Sequence, residues 1–207
     1  MITEPLPMCT VMVPVKAFSQ AKRRLAPVLG LAQRRELVMA MAMTVLEAAS
    51  PLPVAVLCDD EEVAAWASDV GAAVVWSRTP GLSAAVEDGV AQLAAKGSQQ
   101  VMIVHADLPH AREIASLAGW SGVTLVPDRH VHGTNAICIP ASSGFKFSFG
   151  ACSFLAHVAE AARQSMPLRI VRDRLLGWDI DLPADLEGLE AASLVPRPPA
   201  SGARVER

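Results

Sequence analysis

The sequence lacks a hydrophobic run that could cross a membrane. Its longest apolar stretch, Leu37–Leu46, is interrupted by Thr44 and followed by Glu47, whereas a spanning helix needs about 20 apolar residues in succession. A signal peptide is not expected either, because Glu4 and two prolines stand where such a peptide needs positive charge and then an apolar segment. We therefore expect a cytosolic protein with no membrane partner.

The cysteines show no disulfide or metal-binding pattern. The chain holds 4 cysteines, without a CxxC pair or regular spacing. In a cytosolic protein such scattered cysteines are typical of small buried apolar side chains rather than of a disulfide or zinc set. They are Cys9, Cys58, Cys138 and Cys152.

An excess of positive charge is also absent. The formal net charge is −3, which argues against nucleic acid as the main partner. Six of the 18 Lys and Arg residues nevertheless fall within the first 35 positions, and this local basic region favours a small anionic ligand. An ordinary solvated surface is the alternative interpretation. The six residues are Lys16, Lys22, Arg23, Arg24, Arg34 and Arg35.

The composition is that of a folded domain. The 207 residues are 52% apolar and 19% charged, which excludes a disordered chain. Short apolar runs alternate with amphipathic stretches, a pattern typical of one three-layer α/β domain with a mostly parallel sheet. We predict this domain over residues 1–195 and a flexible tail rich in Pro, Gly, Ser and Arg over residues 196–207.

Six apolar runs are predicted to form strands, and two weaker candidates follow near the C-terminus. The six are Thr10–Val15, Val54–Leu57, Ala73–Val75, Val101–Val104, Val123–Val126 and Ala136–Ile139. The weaker candidates are Leu168–Arg172 and Asp179–Asp181.

Helices are predicted between these strands. The apolar face within Leu37–Ala48 has helical spacing and fits a core or a dimer seam equally well. A homodimer is therefore one expectation. Further helices are predicted around Trp66 and at Leu82–Ala95, Ala111–Ala118, Ser153–Gln164 and Ala184–Ala192.

Ligands of such sheets bind at the carboxyl ends of the strands. The first strand is followed by a loop that holds Lys16 and Lys22, a place that suits a triphosphate. The sequence contains no GxxxxGK[ST] motif, and no GxGxxG follows this strand. A P-loop enzyme is thereby excluded, and a dinucleotide dehydrogenase is not expected.

Carboxylates follow two later strands. Asp107 comes directly after an apolar run, where burial is costly unless the carboxylate holds a cation. Asp179 and Asp181 would stand about 7 Å apart on one face of a strand. Hard oxygen ligands with few protein contacts suit Mg²⁺ when substrate phosphates complete its coordination. Helix capping by an aspartate is the alternative interpretation.

Two further segments are suited to an oxyanion. The turn at Gly133 and Thr134 can offer backbone N–H groups and a hydroxyl, and Gly150 leads into a helix that begins near Ser153. An ordinary turn and an ordinary helix cap are the alternatives. No Ser/His/Asp or Cys/His nucleophile motif is visible, which fits a reaction whose nucleophile belongs to the substrate. A phosphate monoester is mostly dianionic at pH 7 and needs no protein base.

In this order and spacing the residues resemble the family of guanylyltransferases that act on 2-phospholactate, phosphoenolpyruvate or 3-phosphoglycerate and make the activated precursor of the deazaflavin coenzyme F420. The resemblance covers about residues 10–190. It rests on Lys16, Lys22-x-x-Leu25, Asp107-Leu108-Pro109, Pro127-Asp128-Arg129, Gly133-Thr134-Asn135-Ala136, Phe149-Gly150-x-x-Ser153 with His157, and Asp179-x-Asp181-x-Pro183-x-Asp185-Leu186.

The resemblance implies a Rossmann-like nucleotidyltransferase domain that joins GTP to a small phosphorylated carboxylic acid and releases pyrophosphate. It also implies a role for each matching residue. Lys16, Lys22 and Asp107 would be catalytic, Gly81 and Ser83 would line the nucleotide site, Thr134, Gly150 and Ser153 would bind the acceptor's phosphate, and Asp107, Asp179 and Asp181 would hold Mg²⁺.

The acceptor is left open among the three acids. The imidazole groups of His130 and His132 on the acceptor side would suit the hydroxyl of 3-phosphoglycerate, because a site that hydrogen-bonds a hydroxyl discriminates strongly. Two other functions remain as alternatives. One is nucleotidyl transfer to a sugar phosphate or a pterin, and the other is a catalytically silent nucleotide-binding protein.

Overall fold

The computed structural model describes residues 9–187, and seven strands within them form one sheet. The strands are β1 (Cys9–Pro14), β2 (Val54–Cys58), β3 (Ala73–Trp76), β4 (Gln100–Val104), β5 (Val123–Pro127), β6 (Thr134–Pro140) and β7 (Leu168–Ile170). Their spatial order is β3-β2-β1-β4-β6-β5-β7. Among them only β6 runs antiparallel to its neighbours, so the predicted mostly parallel sheet is confirmed.

Four α-helices cover the two faces of this sheet. They are α1 (Leu31–Ala48), α2 (Glu61–Asp69), α3 (Leu82–Ala95) and α4 (Ser153–Arg163). Buried residues of α1 and α2 belong to one core, and buried residues of α3 and α4 belong to the other. Successive strand residues feed opposite cores, because Val11 and Val13 join the first and Met12 joins the second. This arrangement confirms the predicted three layers.

The apolar face of α1 is used by the core. Val38, Met41 and Val45 are buried against the sheet, and the helix begins at Leu31, six residues before the predicted stretch. Because the core already buries this face, the face gives no support for a dimer seam, and the homodimer stays a prediction. On the opposite layer, Gly89 lets α3 lie close to β1, because a Cβ atom there would stand 2.7 Å from the Met12 sulfur.

The helix predicted over Ala111–Ala118 is wrong. Only a short 3₁₀ turn forms there, Ile114–Leu117. Glu113 has a φ of 52°, a left-handed conformation that an α-helix cannot continue through. The turn still buries its two apolar side chains, Ile114 and Leu117, which lie one 3₁₀ turn apart.

The strand predicted at Asp179–Asp181 is also wrong, because this segment pairs with no other strand of the described chain. Its backbone is held by other groups: Ile180 N–H donates to the Asp107 carbonyl, and Asp181 N–H donates to the Asp185 carboxylate. β7 likewise ends at Ile170, before the predicted Arg172.

The C-terminal predictions lie partly outside the described residues. Residues 183–187 are helical, which agrees with the start of the predicted helix at Ala184–Ala192, and the rest of that helix and the tail at residues 196–207 fall beyond residue 187. None of the helices between residues 9 and 187 combines the length and the hydropathy that a bilayer crossing requires. Three of the four cysteines are buried as predicted, whereas Cys152 is exposed.

Candidate active site

The main cleft lies where the direction of the strand order reverses. The chain runs from β1 outward through β2 to β3 and then returns to place β4 on the other side of β1, and such a switch point opens a crevice at the carboxyl ends of the strands. A cavity of about 370 Å³ occupies it, lined by Pro14–Lys16, Gln20–Arg24, His105–Asp107 and Asp181. A smaller cavity of about 170 Å³ adjoins it towards β3 and shares Pro14–Lys16 and Leu82.

Lys22 is the central cation of this cleft. It has a φ of 47° and stands between two short 3₁₀ turns, Phe18–Gln20 and Arg23–Leu25. Its Nζ lies 2.5 Å from Asp107 Oδ2 and 2.8 Å from Asp181 Oδ1. Burial acts to lower the pKa of Lys22, but the two carboxylates outweigh burial and the pKa is raised. One ammonium group therefore joins three distant segments of the chain.

Two of the three predicted metal ligands, Asp107 and Asp181, meet at this ammonium. Burial first, and then the charge of Asp107, raise the pKa of Asp179, so these carboxyl groups are close enough to interact. Burial also acts to raise the pKa of Asp181, but Lys22 and then Arg24 outweigh it and the pKa is lowered. The convergence of Asp107, Asp179 and Asp181 arises from a loop, not from the strand that the sequence suggested.

The donor set fits a divalent cation that is completed by a substrate. Within residues 9–187 no three acidic, imidazole or thiol groups are placed to hold a metal by themselves. Asp107 Oδ1, however, is buried and has no hydrogen-bond partner in the described chain. A buried carboxylate oxygen of this kind is costly unless a cation meets it, and Mg²⁺ takes few protein oxygens when phosphates supply the others. The Mg²⁺ assignment stays a prediction.

The remaining nucleotide-site residues lie around the same crevice. Lys16 is exposed and lines both cavities, and Gly81 lines the smaller one with a φ of 88° at the start of α3. Ser83 lines neither cavity. Its hydroxyl accepts a hydrogen bond of 2.9 Å from the Phe149 N–H and so fastens the 145–150 segment to α3.

The residues predicted to bind the acceptor's phosphate lie apart from the cleft lining. Thr134 is 1% exposed and Ser153 is 2% exposed, whereas Gly150 is exposed with a φ of 131°. The rings of Phe145, Phe147 and Phe149 lie 5.0–6.1 Å from that of His157, which hydrogen-bonds the Thr134 hydroxyl. The role of Thr134, Gly150 and Ser153 as phosphate ligands stays a prediction.

His157 orients the Thr134 hydroxyl. The Ser148 N–H donates to His157 Nε2 at 3.1 Å, so the imidazole proton is on Nδ1, which lies 2.9 Å from Thr134 Oγ1. Thr134 Oγ1 therefore accepts this hydrogen bond and keeps its own proton to donate elsewhere. Burial lowers the pKa of His157 to about 4, which keeps the ring neutral at pH 7.

His105 is a cleft residue that the sequence reasoning missed. It lines the cleft two residues before Asp107, and its Nε2 is buried without a hydrogen-bond partner within residues 9–187. Its ring stands 5.4 Å from that of Phe149. A signal was present in the sequence, because His105 directly follows a buried strand, where ligands of such sheets bind.

Arg129 and Asp185 hold the acidic loop in place. Arg129 donates to the Asp179 carbonyl at 2.9 Å and pairs with the Asp185 carboxylate. The other Asp185 oxygen accepts from the N–H groups of Asp181 and Leu182 at 2.7 and 2.6 Å. The position of Asp179 and Asp181 thus depends on a buried ion pair behind them.

Solved structures with this fold include enzymes that transfer nucleotidyl groups. A provisionally assigned nucleotide-diphospho-sugar transferase from Desulfovibrio desulfuricans G20 superposes with a TM-score of 0.77 at 14% identity, covering 92% of this chain and 89% of that one. A nucleotidyl transferase from Methanothermobacter gives 0.61 at 18% identity, covering 90% and 98%. The fold is therefore the Rossmann-like one of nucleotidyltransferases.

The sequence comparisons are more specific. The chain belongs to the family described as guanylyl transferase CofC like, which matches residues 8–190. It is 39% identical to a phosphoenolpyruvate guanylyltransferase of Sphaerobacter thermophilus, covering 86% of this chain and 90% of the relative. It is 26% identical to a 2-phospho-L-lactate guanylyltransferase of Methanocaldococcus jannaschii, covering 85% and 80%. The predicted family and the predicted class of enzyme, a guanylyltransferase, are confirmed.

Proposed function

We propose that this guanylyltransferase transfers GMP from GTP to the phosphate of phosphoenolpyruvate, releases pyrophosphate, and thereby serves F420 biosynthesis. The observation that carries the proposal is the cleft at the β1–β4 switch point, where Lys22 joins Asp107 and Asp181. Such a site can position phosphates and hold a cation that neutralises them, which is most of what phosphoryl and nucleotidyl transfer requires.

The choice of phosphoenolpyruvate follows the names of the more similar relatives. Those of Sphaerobacter thermophilus and Roseiflexus castenholzii, at 39% and 36% identity, are both phosphoenolpyruvate guanylyltransferases. His130 and His132 do not favour 3-phosphoglycerate, because both are exposed and neither lines the cleft. 3-Phosphoglycerate and 2-phospholactate remain the acids to compare.

In the proposed reaction an oxygen of the acceptor's phosphate attacks the α-phosphorus of GTP. The new P–O bond forms as the bond to the β-phosphate breaks, and pyrophosphate leaves with the electron pair. The acceptor phosphate needs no general base, because its second pKa near 6 leaves it mostly dianionic at pH 7. The attack is hindered by repulsion between the acceptor's phosphate and the triphosphate of GTP, and the cations of the cleft offset this repulsion.

Each cleft residue has a part in this step. Lys22, fixed by two carboxylates, faces the triphosphate from the loop after β1, and exposed Lys16 approaches it at the border of both cavities. Mg²⁺ held by Asp107, Asp179 and Asp181 would neutralise charge on the phosphates and orient them when bound. Thr134, with its proton directed away from His157, would donate to the acceptor's phosphate.

The test mixes GTP and Mg²⁺ with each of the three acids and measures pyrophosphate release and product mass. We expect the largest kcat/KM with phosphoenolpyruvate and a product with the mass of the guanosine diphospho-acid. Pyrophosphate release only with a sugar phosphate or a pterin would favour that alternative. No release with any acceptor would favour a silent nucleotide-binding protein. A cytosolic location and a homodimer stay predictions.

A further inference from the structure

A second and larger cavity opens at the same edge of the sheet, beyond β5. It measures about 600 Å³ and shares no lining residue with the main cleft. Its walls come from three loops, which follow β4, β5 and β7. They contribute His110 and Arg112, then Pro127–Arg129 and Val131, then Arg172–Leu175 with Gly177 and Trp178.

Three arginines of this cavity have no partner among the residues that the structure describes. Arg112, Arg172 and Arg174 are exposed, and none makes an ion pair or a side-chain hydrogen bond within residues 9–187. They differ from Arg129 in the same wall, which pairs with Asp185 and stacks on Trp178 at 4.5 Å. Three guanidinium groups around one cavity create a local positive field that the fold does not neutralise.

The two aspartates in the cavity lining, Asp128 and Asp173, form no ion pair with these arginines in the described part of the chain. Asp128 accepts from the backbone N–H groups of His130, His132 and Gly133. Asp173 accepts from the N–H groups of Leu175 and Leu176 at 2.7 and 2.9 Å. Both oxygens of Asp128 and Oδ1 of Asp173 thus bond to the backbone and shape the loops that present the arginines.

Trp178 also lines the cavity and carries a hydrogen-bond donor. The indole N–H of Trp178 is buried and has no acceptor in the described chain. A buried donor without an acceptor is energetically unfavourable. The lining thus offers several donors and little that accepts.

We propose that this cavity binds a small phosphate-bearing anion through Arg112, Arg172 and Arg174, at a site separate from the nucleotide cleft. Guanidinium groups match phosphate oxygens in pairs, and a concave wall suits a small molecule better than a macromolecule. Two molecules of the proposed reaction carry such phosphate groups, the product pyrophosphate and the phosphorylated acid that accepts GMP. The site does not depend on the proposed function.

The test is calorimetric titration of the purified protein in EDTA, with inorganic pyrophosphate in one arm and phosphoenolpyruvate in the other. Three variants are compared with the unmodified chain. Arg172→Gln/Arg174→Gln removes the cavity charges, Lys22→Gln changes the cleft, and Lys96→Gln removes an exposed lysine beyond α3 as a control.

We expect two binding events with at least one of the two anions. Arg172→Gln/Arg174→Gln should weaken one event at least tenfold and keep the other, Lys22→Gln should do the reverse, and Lys96→Gln should change neither. The anion that loses its event in the arginine variant identifies the source. The proposal is overturned if the arginine variant binds both anions as the unmodified chain does, or if Lys22→Gln alone abolishes all binding.

Discussion

The two cavities at the carboxyl edge of the sheet treat charge in opposite ways. In the nucleotide cleft, Lys22 stands within 2.8 Å of both Asp107 and Asp181, so the cation and its carboxylates are matched inside the fold. In the second cavity, Arg112, Arg172 and Arg174 are unmatched within residues 9–187, and the neighbouring aspartates bond to backbone instead. The comparison teaches that a site can be preorganised by internal pairing or left to be completed by its ligand.

The largest expected effect comes from changing the carboxylates of the matched site. Asp107→Asn should lower GMP transfer by about 10³-fold or more, because it removes the charge opposite Lys22 and an oxygen expected to meet Mg²⁺. The measurement is pyrophosphate release at saturating GTP and acceptor, with circular dichroism to establish folding. Asp69→Asn, an exposed aspartate at the end of α2, is the matched control.

Full activity of Asp107→Asn at ordinary Mg²⁺ concentrations would refute the assigned site. Asp179→Asn should behave in the same way as Asp107→Asn. A loss confined to KM for GTP would instead assign these carboxylates to nucleotide binding alone.

Removing the cation of the matched site should affect both activity and stability. Lys22→Met leaves Asp107 and Asp181 facing each other without an ammonium group between them. We expect the free energy of unfolding to fall by about 1–2 kcal/mol. The loss stays in this range because Asp181 is half exposed, so that solvent screens part of its charge. Urea unfolding measures this free energy. GMP transfer should also fall, by about 10²-fold.

A second variant separates the two effects. Lys22→Met/Asp107→Asn should recover most of the unfolding free energy, since the unpaired buried charge is gone, but none of the activity. If the double variant is as unstable as Lys22→Met, the pairing with Asp107 is not what Lys22 contributes to the fold.

The last prediction concerns stability alone and a residue outside both cavities, the buried and neutral His157. Its pKa is lowered by burial to about 4 in the fold, against about 6.5 in an unfolded chain. Between these values the unfolded state binds more protons, so His157 contributes stability above pH 6.5 that is lost as the pH falls towards 4. The loss should approach about 3 kcal/mol.

Urea unfolding at pH 7 and at pH 4.5 measures this loss. His157→Asn should flatten the dependence, whereas His132→Asn, at an exposed imidazole in a loop, should leave it unchanged. A pH dependence that survives in His157→Asn would have to come from other groups.

Several features of the site were predictable from short segments. Asp107 follows a buried strand and Lys22 follows the first strand, and both positions depend only on apolar periodicity and chain order. Asp179 and Asp181 were predicted to lie together on one face of a strand, and that strand does not form. They lie in a loop whose shape is set by Asp185 and Arg129, contacts that no local pattern shows.

Other features could not be predicted from the sequence. The predicted helix at Ala111–Ala118 has good helix formers, yet the left-handed Glu113 limits it to a 3₁₀ turn. The Phe149 N–H reaches Ser83 on α3, which lies 66 residues earlier in the chain. Such contacts depend on how the loops pack over the sheet, and intrinsic propensity is too weak to decide them.

By itself the sequence determined the alternation of strands and helices, the single α/β domain and the membership of a guanylyltransferase family, since each follows from periodicity or from ordered motifs. Only the tertiary structure decided which charges are matched. Lys22 and Asp181 are 159 residues apart in the chain and 2.8 Å apart in the fold. Charge pairing depends on distance in space. That distance is set only when the sheet brings the ends of its strands together, so the linear sequence does not show it.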